Sequence, residues 1–112
     1  KPIGDYVWKK EPVNHGNEIR YFIKLNNGDP TLDNLCLQTQ GSGDNKYLAL
    51  VDCTKNTKWY FDKNGNIINY LGDDDNPIPD RYLKYEDSSK SCNISWDEKE
   101  SGKTKWTQIQ IP

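Results

Sequence analysis

The feature that most constrains this chain is that it repeats itself. Thr57-Lys58-Trp59 returns as Thr104-Lys105-Trp106, 47 residues later, and Tyr6-Val7-Trp8 stands 51 residues before Trp59 as a weaker copy. Upstream of each later tryptophan the same order of segments recurs. One copy runs Asn34-Leu35-Cys36-Leu37 and then Tyr47-Leu48-Ala49-Leu50-Val51-Asp52-Cys53; the next runs Arg81-Tyr82-Leu83-Lys84 and then Cys92-Asn93-Ile94-Ser95-Trp96-Asp97. A unit of this size cannot bury its own apolar face, so several must pack around a common axis.

The segments themselves read as strands. They run Tyr6 to Lys9, Ile19 to Leu25, Leu35 to Thr39, Tyr47 to Asp52, Lys58 to Asp62, Asn66 to Tyr70, Arg81 to Tyr85, Cys92 to Trp96 and Lys105 to Ile109, separated by clusters of Asn, Asp, Gly, Pro and Ser. Met is absent and Ala49 is the only alanine, which removes the residues that form helices most cheaply. No helix is expected between the strands, and the fold class is all-β. Asn64-Gly65 is expected to supply the positive φ angles of a hairpin turn, and Asn27-Gly28-Asp29-Pro30 and Asn76-Pro77 read as loops.

Length allows a single domain over residues 1–112, with repeat-like units at about 1–33 (partial), 34–75 and 76–112. A chain this short buries only a little over about 60% of its unfolded surface. With 33% hydrophobic residues but four Trp, seven Tyr and two Phe, the core must rely on aromatic rings. The net charge of −2 and the sequence pI near 5.3 lack the basic footprint of a nucleic-acid partner. No polybasic stripe or long apolar run suggests membrane insertion. Lys1 is not followed by an apolar signal segment, so a targeting peptide is expected to be absent from this sequence.

Three cysteines permit one internal bridge and leave one thiol over. Cys36 and Cys53 each border an apolar strand, and a bridge between them closes a loop worth about 3 kcal/mol on the chain-entropy estimate. It implies an oxidising, secreted or extracellular setting. No Cys-x-x-Cys spacing occurs, and the only histidine, His15, falls in the turn-like Pro12-Val13-Asn14-His15-Gly16-Asn17, so no metal or other cofactor is expected. The acidic run Asp73-Asp74-Asp75-Asn76 with Asp80 lacks the Gly and distal Glu of a calcium loop and reads as a solvated connection. Asn93-Ile94-Ser95 is a glycosylation sequon whose Asn93 alternation turns outward. No catalytic constellation is found, and the chain is not expected to be an enzyme.

The copy from Leu35 to Asn69 resembles the ricin B-type β-trefoil lectins. Cys36-Leu37, Leu48-Ala49-Leu50-Val51-Asp52-Cys53, Thr57-Lys58-Trp59, Phe61 and Gly65-Asn66-Ile67-Ile68-Asn69 follow that family's repeat in order. In the later copy Asp97 stands where the second cysteine would be, which leaves Cys92 on the inward set with Ile94 as a buried free thiol. Nine strand segments are fewer than a complete trefoil contains. The resemblance therefore implies a trefoil whose pattern is too degenerate to read in residues 1–34, or one that is incomplete or completed by another protein chain or domain.

It also implies a carbohydrate-binding module for a glycan or glycoprotein, of the kind that serves as the binding subunit of a larger secreted assembly or toxin. Sugar-binding members use a carboxylate after the Cys-Leu strand, a stacking ring, and an amide pair before the Trp. Here Gln38 and Lys84 hold the carboxylate position, Val51 and Ser95 fall nearest the ring position, and only Asn56 remains of the amide pair. That pattern argues against a galactose site of the family's type. Trp59 and Trp106 match core anchors. Alternation would expose Tyr60, Tyr70, Tyr85 and Trp96, which together with Gln38 and Asn56 are the candidate ligand contacts. The competing expectation is a non-sugar-binding trefoil that serves as a protein-interaction or protease-inhibitor scaffold.

Overall fold

The computed structural model describes residues 7–73, 76–77, 80–85 and 94–106. Among the described residues there are ten strands: β1 (Trp8–His15), β2 (Glu18–Leu25), β3 (Cys36–Ser42), β4 (Asn45–Val51), β5 (Lys58–Phe61), β6 (Ile67–Tyr70), β7 (Gly72–Asp73), β8 (Asn76–Pro77), β9 (Arg81–Tyr85) and β10 (Ile94–Asp97). Six of them form one antiparallel sheet in the order β1-β2-β5-β6-β9-β10. The hairpin β3-β4 stands apart from that ladder, between β2 and β5 in sequence, and β7-β8 is a small ribbon of its own. The expected all-β class is observed.

Several boundaries depart from the sequence reading, each for a local reason. Pro12 and His15, expected in a turn, lie inside β1, which pairs with β2 from Trp8↔Leu25 to His15↔Glu18. Proline is tolerated there because β1 is the edge strand and its outer side needs no amide donor. A single turn of helix, α1 (Pro30–Asp33), interrupts the expected loop. Asp29 caps it by accepting from the Thr31 and Leu32 amides at 3.0 and 3.4 Å, and Pro30 fits the first helical turn. In the β5-β6 connection only Gly65 takes a positive φ, 91°. Asn64 does not, because the Asp62 carboxylate organises the loop instead, accepting from the Asn64 and Asn66 amides at 2.8 Å each. The expected ninth strand begins with Lys105 and Trp106, which are not in a strand, and its remainder lies outside the described residues. So do Cys92, Asn93, Asp74 and Asp75.

The core is built by the inward set of each strand. Ile23, Leu37, Trp59, Ile67 and Leu83 form its buried centre, with Trp8, Leu48, Leu50, Phe61, Ile94 and Trp106 packed around it. Register explains the selection. Trp59 lies opposite Tyr21 on one side and Asn69 on the other, so these three side chains share the inward face. Asn69 is wholly buried, and its amide is saturated. The carbonyl accepts from the Thr39 amide at 3.0 Å and the Thr39 hydroxyl at 2.6 Å, while the nitrogen donates to the Asn56 and Lys58 carbonyls at 3.1 and 3.0 Å. One side chain thereby ties β3, β5 and β6 together at no cost in unpaired polar groups.

The sequence repeat has a geometric counterpart. Trp59 donates its indole N–H to the Leu37 carbonyl at 2.9 Å, and Trp106 donates to the Leu83 carbonyl at 3.0 Å. Before each tryptophan stands one turn of 3-10 helix, Lys55–Thr57 and Gly102–Thr104, closed by the same reciprocal cap. Thr57 and Thr104 return their hydroxyls to the Thr54 and Ser101 carbonyls at 2.8 and 3.0 Å. Both threonines are fully buried.

The bridge expected from the cysteines is closed: Cys36 and Cys53 form a disulfide across a separation of 17 residues. No helix among the described residues is long and apolar enough to cross a membrane.

Candidate functional site

The outward face of the large sheet gathers side chains that the sequence scatters. Pairing of Phe22 with Lys58 and of Lys58 with Tyr70 makes one cross-strand row. Pairing of Tyr60 with Ile68 and of Ile68 with Tyr82 makes the next. Ile68 points away from the core, yet it is only 5% exposed. Its directly opposed neighbours on both sides are tyrosines, and rings at that spacing cover an aliphatic side chain between them.

Tyr60 and Tyr70 meet edge to face with centroids 6.3 Å apart, and the Arg20 guanidinium lies 4.0 Å from the centre of the Tyr70 ring. Arg20 is in turn held by Glu18, its Nε donating to Oε2 at 2.9 Å. Burial raises the pKa of the Tyr70 hydroxyl, and Asp80 and Glu18 add to the rise while Arg20 opposes it. Burial also raises Tyr82, again assisted by Asp80 and by Glu100 and Asp62. Both phenols are therefore neutral donors at physiological pH, with carboxylates close enough to be felt. Among the described residues Lys58 has no carboxylate within ion-pair distance.

This face offers an aromatic surface, hydroxyl and cationic donors, and carboxylate acceptors within one patch. Such a set is complementary to a polyhydroxylated ring, which presents C–H groups on one face and divergent hydroxyls at its edge.

The candidate contacts drawn from the sequence fall in several places. Tyr60 and Tyr70 come together as described. Tyr85 is 39% exposed at the other end of the sheet, where it meets Trp106 edge to face at 5.3 Å and donates its hydroxyl to the Gly102 carbonyl at 3.1 Å. Gln38 is half-buried on β3 opposite Ala49. Asn56 is half-buried in the first 3-10 turn, where its carbonyl serves Asn69.

Trp96 does not have the exposure expected of it. It is 1% exposed, because its position opposite Leu83 turns it inward. Its N–H donates to the Gln40 carbonyl at 2.7 Å, and Arg81 and Lys46 lie over the ring at 4.3 and 5.3 Å. Arg81 is itself fixed by donating to the Thr39 carbonyl and hydroxyl at 3.2 and 3.3 Å. Trp96 is a core side chain, closed off by cations, and presents no stacking surface. Lys84, at the position of the second missing carboxylate, pairs with Asp97 at 3.7 Å.

Sequence reasoning missed Arg20, Glu18, Phe22, Lys58, Ile68, Asp80 and Tyr82 as parts of a site. The outward alternation of Glu18, Arg20, Phe22 and Lys24 was readable along β2. What was not readable is that β2 pairs with β5 and leaves the intervening hairpin out of the ladder.

Comparison with known proteins adds no relative: no family model, no curated protein and no solved structure matches the chain.

Proposed function

We propose that this chain is a carbohydrate-binding module of lectin type, with its ligand face on the outward side of β2, β5, β6 and β9. The observation that carries the reading is the Tyr60 and Tyr70 pair with Arg20 over it and the carboxylates of Glu18 and Asp80 nearby. Tyr60 supplies the stacking ring, Tyr70, one face of which Arg20 covers, supplies its edge and hydroxyl, Arg20 and Lys58 supply donors, and Glu18 supplies the acceptor missing at Gln38 and Lys84. The ligand class that fits is a neutral saccharide, because the patch balances its own charges.

The matching indole bonds and capped turns of the two units support a repeat packing related to the ricin B-type trefoil. The closed disulfide supports residence in a secreted or extracellular setting.

A glycan array probed with the disulfide-intact chain tests the proposal. Binding to a discrete set of glycans, lost in Tyr70→Ala and weakened in Arg20→Ala but kept in Tyr85→Phe, is the expected result. An array without any binder at high protein concentration overturns it and leaves the protein-interaction scaffold as the better reading.

A further inference from the structure

The sequence contains two Asn-Gly dipeptides, Asn27-Gly28 and Asn64-Gly65. Glycine has no Cβ to shield its nitrogen, so this dipeptide is where an asparagine side chain is most easily attacked by the following backbone amide. Both asparagines are exposed, and local sequence gives them the same intrinsic reactivity. The fold treats them differently.

At the first, both reacting groups are occupied. The Asn27 side-chain oxygen accepts from the Val7 amide at 2.9 Å, and the Gly28 amide donates to the Asp33 carboxylate at 2.8 Å. Asp33 also takes the Asn27 amide at 3.2 Å. At the second, the Asp62 carboxylate takes the amides of Asn64 and Asn66 and passes over the one between them. The Gly65 amide has only a long contact of 3.4 Å to the Asp62 carbonyl. Among the described residues no hydrogen bond holds the Asn64 side chain.

We propose that Asn64 is a site of spontaneous modification in the folded protein, converted to aspartate and isoaspartate, while Asn27 is protected by the structure. The Gly65 nitrogen gives its proton to a solvent base and bonds to the Asn64 side-chain carbonyl carbon. The bond from that carbon to the amide nitrogen breaks, and the nitrogen takes up a proton and leaves as ammonia. Water then opens the cyclic imide at either carbonyl. The balance is one amide and one water in, one carboxylic acid and one ammonia out.

Position gives the reaction a consequence. The Gly65 carbonyl accepts from the Trp106 amide at 2.8 Å, and the Asn66 side-chain oxygen accepts from the Thr104 hydroxyl at 2.9 Å. This loop is the joint between the two repeat units. Isoaspartate lengthens the main chain by one carbon between residues 64 and 65, so conversion shifts the joint and loosens the second unit.

The test is to age the full, disulfide-intact chain in mildly alkaline buffer and to follow both sites by peptide mapping and mass spectrometry. A charged acceptor on the Gly28 amide must be given up before attack, so Asn64 is expected to convert about tenfold faster than Asn27 or more. The difference should collapse in the reduced chain in denaturant, and Asp33→Asn should raise the Asn27 rate in the folded protein. Equal rates in the folded protein, a faster Asn27, or a gap that persists in the unfolded chain overturns the proposal. In the aged protein the Trp106 amide should exchange faster while the amides of β5 and β6 keep their protection. Unchanged exchange at Trp106 refutes the loosening of the joint.

Discussion

The unit from β3 to β6 and the unit that begins at β9 solve the same packing problem with different fastenings. In each, a tryptophan after a capped 3-10 turn bonds the carbonyl of a leucine on the unit's first strand. In the first unit, Cys36 beside that leucine is bridged to Cys53 just before the turn. In the second, the corresponding places are held by Tyr82 and Glu100; Asp97, which the sequence reading set at the second cysteine, instead lies opposite Tyr82 as Val51 lies opposite Cys36. Glu100 accepts from the Lys105 ammonium at 2.7 Å and from the Asn66 side-chain nitrogen of the neighbouring unit. A covalent link within one unit is thus replaced by one polar link within the second unit and one that reaches the first. The first unit is fastened to itself, and the second is fastened to the first.

Removing the shared anchor should separate the two most strongly. Trp59 is fully buried, so Trp59→Ala should destabilise the chain by about 3 to 5 kcal/mol in chemical denaturation. Trp106→Ala should destabilise it clearly less, because Trp106 is only half-buried at the edge of the core. Equal losses would mean that the second unit contributes as much core as the first.

Next in size is the disulfide. A Cys36→Ser and Cys53→Ser double variant should lose about 3 kcal/mol from the closed loop alone. Hydrogen exchange should show β3 and the first 3-10 turn opening, with the β9-β10 pair little changed. Loss spread evenly over both units would contradict the division drawn above.

The polar joint should answer to smaller changes. Thr104→Val keeps the shape of a fully buried side chain but leaves the Asn66 oxygen without its donor, at a loss of about 1 to 3 kcal/mol. Thermal or urea unfolding measures it directly. A stability equal to that of the parent would mean that Asn66 finds another donor.

The smallest effect is that of acid. For Asp62, burial pushes the carboxyl up, but hydrogen bonds from the Asn66 side chain, the Asn66 and Asn64 amides, and nearby Lys105 outweigh it and hold the group below its ordinary value. Glu100 is lowered by its hydrogen bonds from Lys105 and Asn66. A depressed carboxyl contributes stability that is present above its unfolded value, near about 4, and lost as pH falls through the folded value. Below about pH 4 the Trp106 amide should therefore lose protection before the amides of β5. Glu100→Gln should move that onset only slightly, since both carboxylates are largely solvated.

The strands and the repeat were legible because they rest on local signals. Alternation marked β2, β4 and β9, and the recurrence of Thr-Lys-Trp marked the two capped turns. Helix α1 went unread because four residues carry no periodicity, although Asp29-Pro30 held its capping signal. Pro12 and Gly16 suggested a loop where the chain makes an edge strand and a hairpin. Gly41 shows the same limit. Its φ is 83°, and any Cβ there would lie 1.9 Å from the Asn45 carbonyl oxygen, a demand visible only once β3 and β4 are paired. The candidate site was legible in Tyr60 and Tyr70 but not in Arg20, Glu18 or Asp80, and Trp96 was misplaced.

Sequence alone determined the all-β class, the recurrence of Thr-Lys-Trp, the bridged cysteines and the aromatic character of the core. These follow from side-chain chemistry and short-range spacing, which act within a few residues. Tertiary structure decided which strands became neighbours, and with that which rings face out together. The ladder joins Phe22 to Lys58 across 35 intervening residues, and it closes Trp96 inside while opening Tyr60 and Tyr70. The physical reason is that a strand's face is set by its pleat, whereas its partner is set by the burial of the whole chain.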